Sequence, residues 1–303
     1  VQHEINLVAR IASRVLLLDG RGGHVLGSPA EVLRADLLGA AFGLGFIFGP
    51  AIGGLVAGAA PGLAEFARVA WVAAAITALA AVLVWWRLPE SLSPERRTAV
   101  RDAGKGPTAR EVLAAKPAVL ALMVVALLVI GSAAMMETTF ALFADDILAW
   151  TPRDVGLAFG FIGSISALIQ GLGAAPLARR FGPRRVAFGG ICLYALGLAG
   201  LALATGTIAV LVALAVTATG VGTFNPAYQT MVAATTDDMD RGLVNGLTQG
   251  ASAMGRIIGP AVSGSFYQGL GPSSPFLIGS LLMAVALLVA VGAARAVRAR
   301  STA

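Results

Sequence analysis

The sequence predicts an all-α membrane protein, a helical bundle with eight transmembrane helices. Three observations carry that expectation. Of 303 residues, 57% are hydrophobic and only 13% charged, with a mean hydropathy of +0.82; a soluble domain carries about 25% charged residues. Apolar runs recur at the length a bilayer requires, about 20 residues each. One pattern, G-x-x-x-G-P-x-x-[GS]-G, occurs at Gly45–Gly54 and again at Gly255–Gly264, an offset of 210 residues. Self-similarity at a fixed offset marks repeated bundles.

Apolar runs between polar or Gly/Pro breaks place the spans at roughly 37–58, 66–87, 117–143, 154–177, 185–204, 207–233, 242–268 and 275–297. Each must be helical, because a chain in lipid satisfies its own backbone hydrogen bonds. A barrel would need short segments of alternating polarity, which the sequence lacks. Residues 89–116 hold Ser91, Ser93, Pro94, Gly104, Gly106 and Pro107 and read as a polar linker. It separates a pair of spans in 36–88 from six in 117–303.

Basic residues orient the spans. Arg87, Arg96, Arg97, Arg101, Lys105, Arg110 and Lys116 follow the second span, and Arg179, Arg180, Arg184 and Arg185 follow the fourth. Arg295, Arg298 and Arg300 form the tail, while the alternate loops hold almost no Lys or Arg. By the positive-inside rule the basic loops and both ends face the cytoplasm of a multi-pass inner (plasma) membrane protein. The loop at 234–241 fits least, since Asp237, Asp238 and Asp240 outnumber Arg241, but acidic residues weigh little in the rule. The net charge of +6 and isoelectric point near 10.4 therefore reflect topology, and no nucleic-acid partner is expected. Cys192, the sole cysteine, can make no intrachain disulfide.

Two motifs point to a family. Gly45, Gly49, Pro50, Gly53 and Gly54 resemble the antiporter motif on the fifth helix of drug/proton antiporters of the major facilitator superfamily. The stretch from Ala175 to Arg185, with Arg179, Arg180, Gly182, Arg184 and Arg185, resembles the superfamily's G-x-L-a-[DR]-r-x-G-r-[RK] loop in its second copy. Ala175 stands where Gly is usual, and Arg179 occupies the acidic position. The resemblance covers about residues 35–300. It implies helices five to twelve of a twelve-helix transporter, with a complete second bundle and a first bundle short of four helices. It further implies a secondary transporter exporting drugs or small metabolites in exchange for protons, by rocking two bundles about a midplane site. The missing helices would then come from a second chain or a dimer.

Residues 1–35 follow another pattern. Val1-Gln2-His3-Glu4, Val15-Leu16-Leu17-Leu18-Asp19-Gly20 and Gly27-Ser28-Pro29-Ala30-Glu31-Val32-Leu33 resemble the C-terminal end of an ABC-transporter ATPase. The resemblance makes His3 the histidine that touches the γ-phosphate of ATP, and Val15–Leu18 a strand. No phosphate loop of the form G-x-x-x-x-G-K-[ST] is present, and phosphoryl transfer needs one to hold phosphate and metal. The expectation is a remnant without ATPase activity, joined to the transporter near Arg34. The alternatives are a membrane component of an ATP-driven system and a non-functional gene fragment.

Ionisable residues within spans are the candidate functional groups. Glu137 lies 20 residues past Pro117, about 30 Å along the helix at 1.5 Å per residue. It either faces a cavity, binding a cationic substrate or a proton, or sits solvated near the outer interface. Arg256 lies about 20 Å into its span. It either binds an anionic group or braces a helix pair, and its small neighbours favour bracing. Gln170, Asn225, Gln229, Asn245 and Gln249 either line a cavity or join helices. Met135, Met136, Phe140 and Phe143 form an apolar wall or simple packing. Gly255, Gly259, Pro260 and Gly264 are expected to pack helices, as are their counterparts in the first motif. No metal-ligand cluster and no nucleophile–base pair is legible, so neither cofactor nor enzymatic activity is expected. The partners are lipid, a small molecule and protons.

Overall fold

The computed structural model describes residues 15–18, 24–27, 49, 52–58, 62–87, 107–236 and 240–301, with backbone alone for 15–18, 24–27, 175 and 294–301. His3, Gly45, Pro50, Asp237, Asp238, most of the first span and most of the linker lie outside the described residues. The elements are β1 (Val15–Leu18), β2 (His24–Gly27), α1 (Leu63–Arg87), α2 (Ala109–Ala115), α3 (Pro117–Leu148), α4 (Pro152–Leu168), a π turn (Ile169–Gly173), α5 (Ala174–Phe181), α6 (Pro183–Leu203), α7 (Thr207–Ala234), α8 (Arg241–Leu270) and α9 (Ser274–Ser301). A helical stretch at 52–57 precedes α1.

The strand at Val15–Leu18 is present, but it pairs with β2 as an antiparallel ribbon, Val15 opposite Gly27 and Leu18 opposite His24. Elsewhere among the described residues the secondary structure is helical. Among the described residues, six helices have the length and hydropathy to cross a membrane. The seventh long helix, α8, is less apolar, because glycines and polar residues make up much of its first half. α1 buries none of its residues, and Trp71, Trp85 and Trp86 stand exposed on it.

Helices α3, α4, α6, α7, α8 and α9 form one bundle. α8 packs on α3, α3 on α9, α9 on α6, α6 on α7 and α7 on α4, and the ring is open between α4 and α8. Phe140, Phe143, Leu198, Leu214, Phe276 and Met283 are fully buried at its centre. Phe143 and Phe276 meet edge to face at 4.9 Å, tying α3 to α9.

Local signals set the helix ends. Thr108 caps α2 through a reciprocal box with Glu111, and Thr151 caps α4 with Asp154, each side chain satisfying the other's free backbone N–H. Pro117, Pro152 and Pro183 occupy first-turn positions, where the missing N–H costs nothing. α3 runs five residues beyond the expected end at 143 and stops at Ala149 in the left-handed conformation. The span expected at 154–177 is one continuous helix that passes through the π turn into α5, which carries Arg179 and Arg180.

Gly182 closes α5 and opens α6 at φ +82°, a conformation that a side chain strains. Gly182→Ala should lower stability by about 1 kcal/mol, read as a lower thermal midpoint in detergent. Gly189→Ala, where an added Cβ meets nothing within 4 Å, should leave the midpoint in place.

Candidate functional site

The open side of the ring holds a cavity. Its walls come from α3, α4 with its π turn, α6, α7 and α8. Most of the lining is apolar: Val129, Ile130, Met136, Phe159, Ile162, Val221 and Phe224. Four expected site residues meet there, Glu137 from α3, Gln170 from the π turn, Asn225 from α7 and Arg256 from α8.

Glu137 is half-buried on the cavity wall. α3 continues well past it. Eleven residues follow Glu137 before α3 ends at Leu148, about 16 Å of further helix. Arg256 interacts electrostatically with Glu137, although the two side chains make no direct ion pair. In surroundings this apolar, such an interaction is far stronger than in water.

The small residues beside Arg256 do brace a helix pair, but Arg256 itself faces the cavity. A Cβ on Gly255 would lie 2.7 Å from the Leu127 carbonyl oxygen and 2.8 Å from the Gly131 nitrogen. One on Gly259 would lie 2.5 Å from the Gly131 oxygen. α8 therefore touches α3 backbone to backbone, which only glycine permits. Ties at both ends hold the same pair. Lys116 contacts Asp240 at 2.6 Å, and at the far end the Tyr267 hydroxyl donates to Asp146; Lys116 also donates to the Thr235 oxygen at the end of α7, at 3.1 Å. Arg256 is thus presented to Glu137 from a fixed helix.

The first motif makes a different contact. A Cβ on Gly54 would lie 2.8 Å from Gly156 Cα and 3.0 Å from the Pro152 oxygen, so this stretch meets the first turn of α4. Gly49, Gly53 and the later Gly264 have nothing within 4 Å of the same position. Pro260 lies inside α8 and Pro226 inside α7; membrane helices tolerate both.

Gln249, Asn245 and Gln229 are exposed and do not line the cavity. Met135, Phe140 and Phe143 are core packing, whereas Met136 reaches the wall. Arg179 and Arg180 lie on α5, with Arg184 and Arg185 in the first turn of α6.

Residue-by-residue reading of polar groups missed Ser166, Tyr194 and Thr217 on the wall. Thr217 Oγ1 is buried with no hydrogen-bond partner among the described residues. Its backbone abuts Gly197, so α6 and α7 approach closely at that level. The spacing of Gly190, Gly197 and Gly220 was the available signal for this contact.

A family model described as Major Facilitator Superfamily matches residues 37–174 and 133–302. The tetracycline resistance protein, class C, of Escherichia coli is 29% identical over 259 residues, which covers 83% of this chain and 63% of that protein. The human organic anion transporter MFSD10 (TETRAN) has a similar fold, with a TM-score of 0.67 at 21% identity, covering 88% of this chain and 65% of the other. The chain thus spans less than two thirds of the length of either. A separate likeness of 44 residues, 52% identical, covers 14% of this chain and 17% of the hemin import ATP-binding protein HmuV of Pseudomonas fluorescens.

Proposed function

The chain belongs to the Major Facilitator Superfamily, and from that premise we propose that it contributes to a secondary active transporter that exports drugs or small metabolites against an inward flow of protons. The observation that carries the reading is the placement of Glu137 and Arg256, from two helices, on one largely apolar cavity wall. Such a wall accepts the apolar body of an amphiphilic molecule, and a few convergent polar groups orient it.

Each group has a role in this reading. Glu137 carries the proton when protonated and holds a cationic group of the substrate when ionised. Arg256 offers a positive charge from the facing helix on the same cavity wall. Gln170, Asn225 and Thr217 offer hydrogen bonds whose geometry discriminates among substrates. The segment at 36–88 belongs to one bundle and 117–303 to the other, joined by the linker at 89–116. Alternating exposure comes from rocking these bundles, with the Gly54–Gly156 approach as a contact between them. The basic loops face the cytoplasm of the plasma membrane, by the positive-inside rule.

Everted membrane vesicles test this. With an imposed proton gradient, acid inside, tetracycline or a cationic dye should accumulate, and a protonophore should abolish accumulation. Uptake that ignores the gradient refutes proton coupling. The short likeness to an ATP-binding import protein favours a second reading, a membrane component of an ATP-driven system. Uptake that requires ATP and survives the protonophore would select it.

A further inference from the structure

The cavity that holds Glu137 has a floor made by one aromatic ring. A second cavity lies beyond it, between α3, α6, α7 and α9, and the one lining residue that the two share is Phe224. α3, α6 and α7 run from one cavity into the other. Val125 of α3 lines the second and Val129, one turn on, lines the first; Ile191 of α6 lines the second and Tyr194 the first. At that level Phe224 is buried and stacks on Tyr228 at 5.3 Å, and the Tyr228 hydroxyl donates to the Leu122 carbonyl at 3.0 Å. The backbone has no room to shift, since a Cβ on Gly190 of α6 would lie 2.8 Å from the Phe224 nitrogen. Small residues create the space beyond the ring, Ala121, Ala187 and Ala290, and Ile191 and Met231 add apolar wall. The polar lining residues other than Tyr228 belong to the end away from Phe224, Arg184 in the first turn of α6 and Thr235 at the end of α7.

We propose that Phe224 sets the length of apolar tail that the transport cavity accepts, and that the second cavity is an extension of the site which the Phe224 ring keeps shut. The inference rests on the cation-holding role of Glu137 given above. A cationic amphiphile with its charge at Glu137 lays its tail along the apolar wall toward Phe224. Glu137 and Val129 are about 12 Å apart along α3, so head and floor are separated by the length of one short alkyl chain. A longer tail meets the ring, which is wedged between the Gly190 contact and Tyr228. Past the ring the surface is again methyl and aliphatic, and burial there stabilises each methylene as it does above. Phe224 is thus a specificity-determining residue, acting on tail length rather than on charge.

The test uses the whole chain in phosphatidylcholine nanodiscs and a series of alkyltrimethylammonium ions, from hexyl to hexadecyl, with binding to empty nanodiscs subtracted. Wild-type affinity should rise about fourfold per methylene and then level off at the length that reaches the ring. Phe224→Ala should move that levelling point to longer chains by several methylenes, with short chains bound as before. Phe224→Val, which removes less of the side chain, guards against a folding defect and should move it by fewer; circular dichroism confirms the fold of each. Adding Ala121→Phe or Ala290→Phe to Phe224→Ala fills the second cavity from α3 or from α9 and should restore the wild-type limit. A levelling point unchanged in both Phe224 variants overturns the proposal, as it would if a lipid chain already filled the second cavity. A shifted point that survives both filling substitutions overturns it too, because the added length then lies elsewhere. Glu137→Gln should weaken every member of the series by a similar factor. Equal affinity in that variant removes the charge assignment and leaves the length limit to be decided by the Phe224 variants alone.

Discussion

Gly255→Ala should cost the bundle about 2–3 kcal/mol, and Gly255→Ala with Gly259→Ala together should leave no folded α3–α8 pair. The reason is what the new methyl groups meet. The Gly255 methyl would press on backbone atoms of Leu127 and Gly131 at 2.7 and 2.8 Å and the Gly259 methyl on the Gly131 oxygen at 2.5 Å, and backbone cannot swing aside as a flexible side chain can. A net stability of about 5–15 kcal/mol leaves little margin for two such clashes. The comparison variants sharpen the test. Gly264→Ala, in the same motif, meets nothing within 4 Å and should be neutral. Gly131→Ala sits on the same contact but meets Gly255 only at 3.6 Å, ordinary van der Waals distance, so it should be mild. Thermal midpoints of the purified variants, with monodispersity by size exclusion, decide this. Equal midpoints for Gly255→Ala and Gly264→Ala would refute the close approach.

Glu137→Gln should reduce transport of a cationic substrate at least about 100-fold while the protein still folds. The amide can neither carry a proton nor hold a cationic group, so both roles of the carboxylate are lost together. Arg256→Gln should cost a similar factor. The double variant should recover part of the stability lost by either single one, because no lone charge then remains. It should not recover transport, since the proton-carrying group is still absent. Substrate flux and thermal midpoint measured on all four proteins give the coupling directly. Additive losses in both readouts would show that the two residues act independently. Unchanged flux and pH dependence in Glu137→Gln would remove Glu137 from the mechanism.

Much of the fold was legible in the sequence, because it rests on properties that need no partner. A run of about 20 apolar residues must be a helix in lipid whatever surrounds it. The prolines at 117, 152 and 183 and the glycine at 182 likewise act locally, and they fall at helix ends. The end of α3 was less legible. Asp145 and Asp146 read as a loop, yet the helix continues through them to Leu148, with Tyr267 of α8 donating to Asp146. The π turn at Ile169–Gly173 had no sequence signature, and it places Gln170 on the cavity wall.

The sequence by itself determined the class and the helical character of the spans that the described residues cover. It also marked Glu137 and Arg256, because a charge inside an apolar run is costly and stands out. Only the tertiary structure decided which of these groups share a space. Gly255 and Arg256 are neighbours in sequence, yet one is pressed against Gly131 and the other lines the cavity with Glu137. Gly54 and Gly264 hold matching places in the repeat, yet one meets α4 and the other meets nothing. Composition and spacing fix what a helix must bury or expose on average. The direction each side chain finally faces depends on how neighbouring helices rotate and pack, and that is a property of contacts more than 100 residues apart.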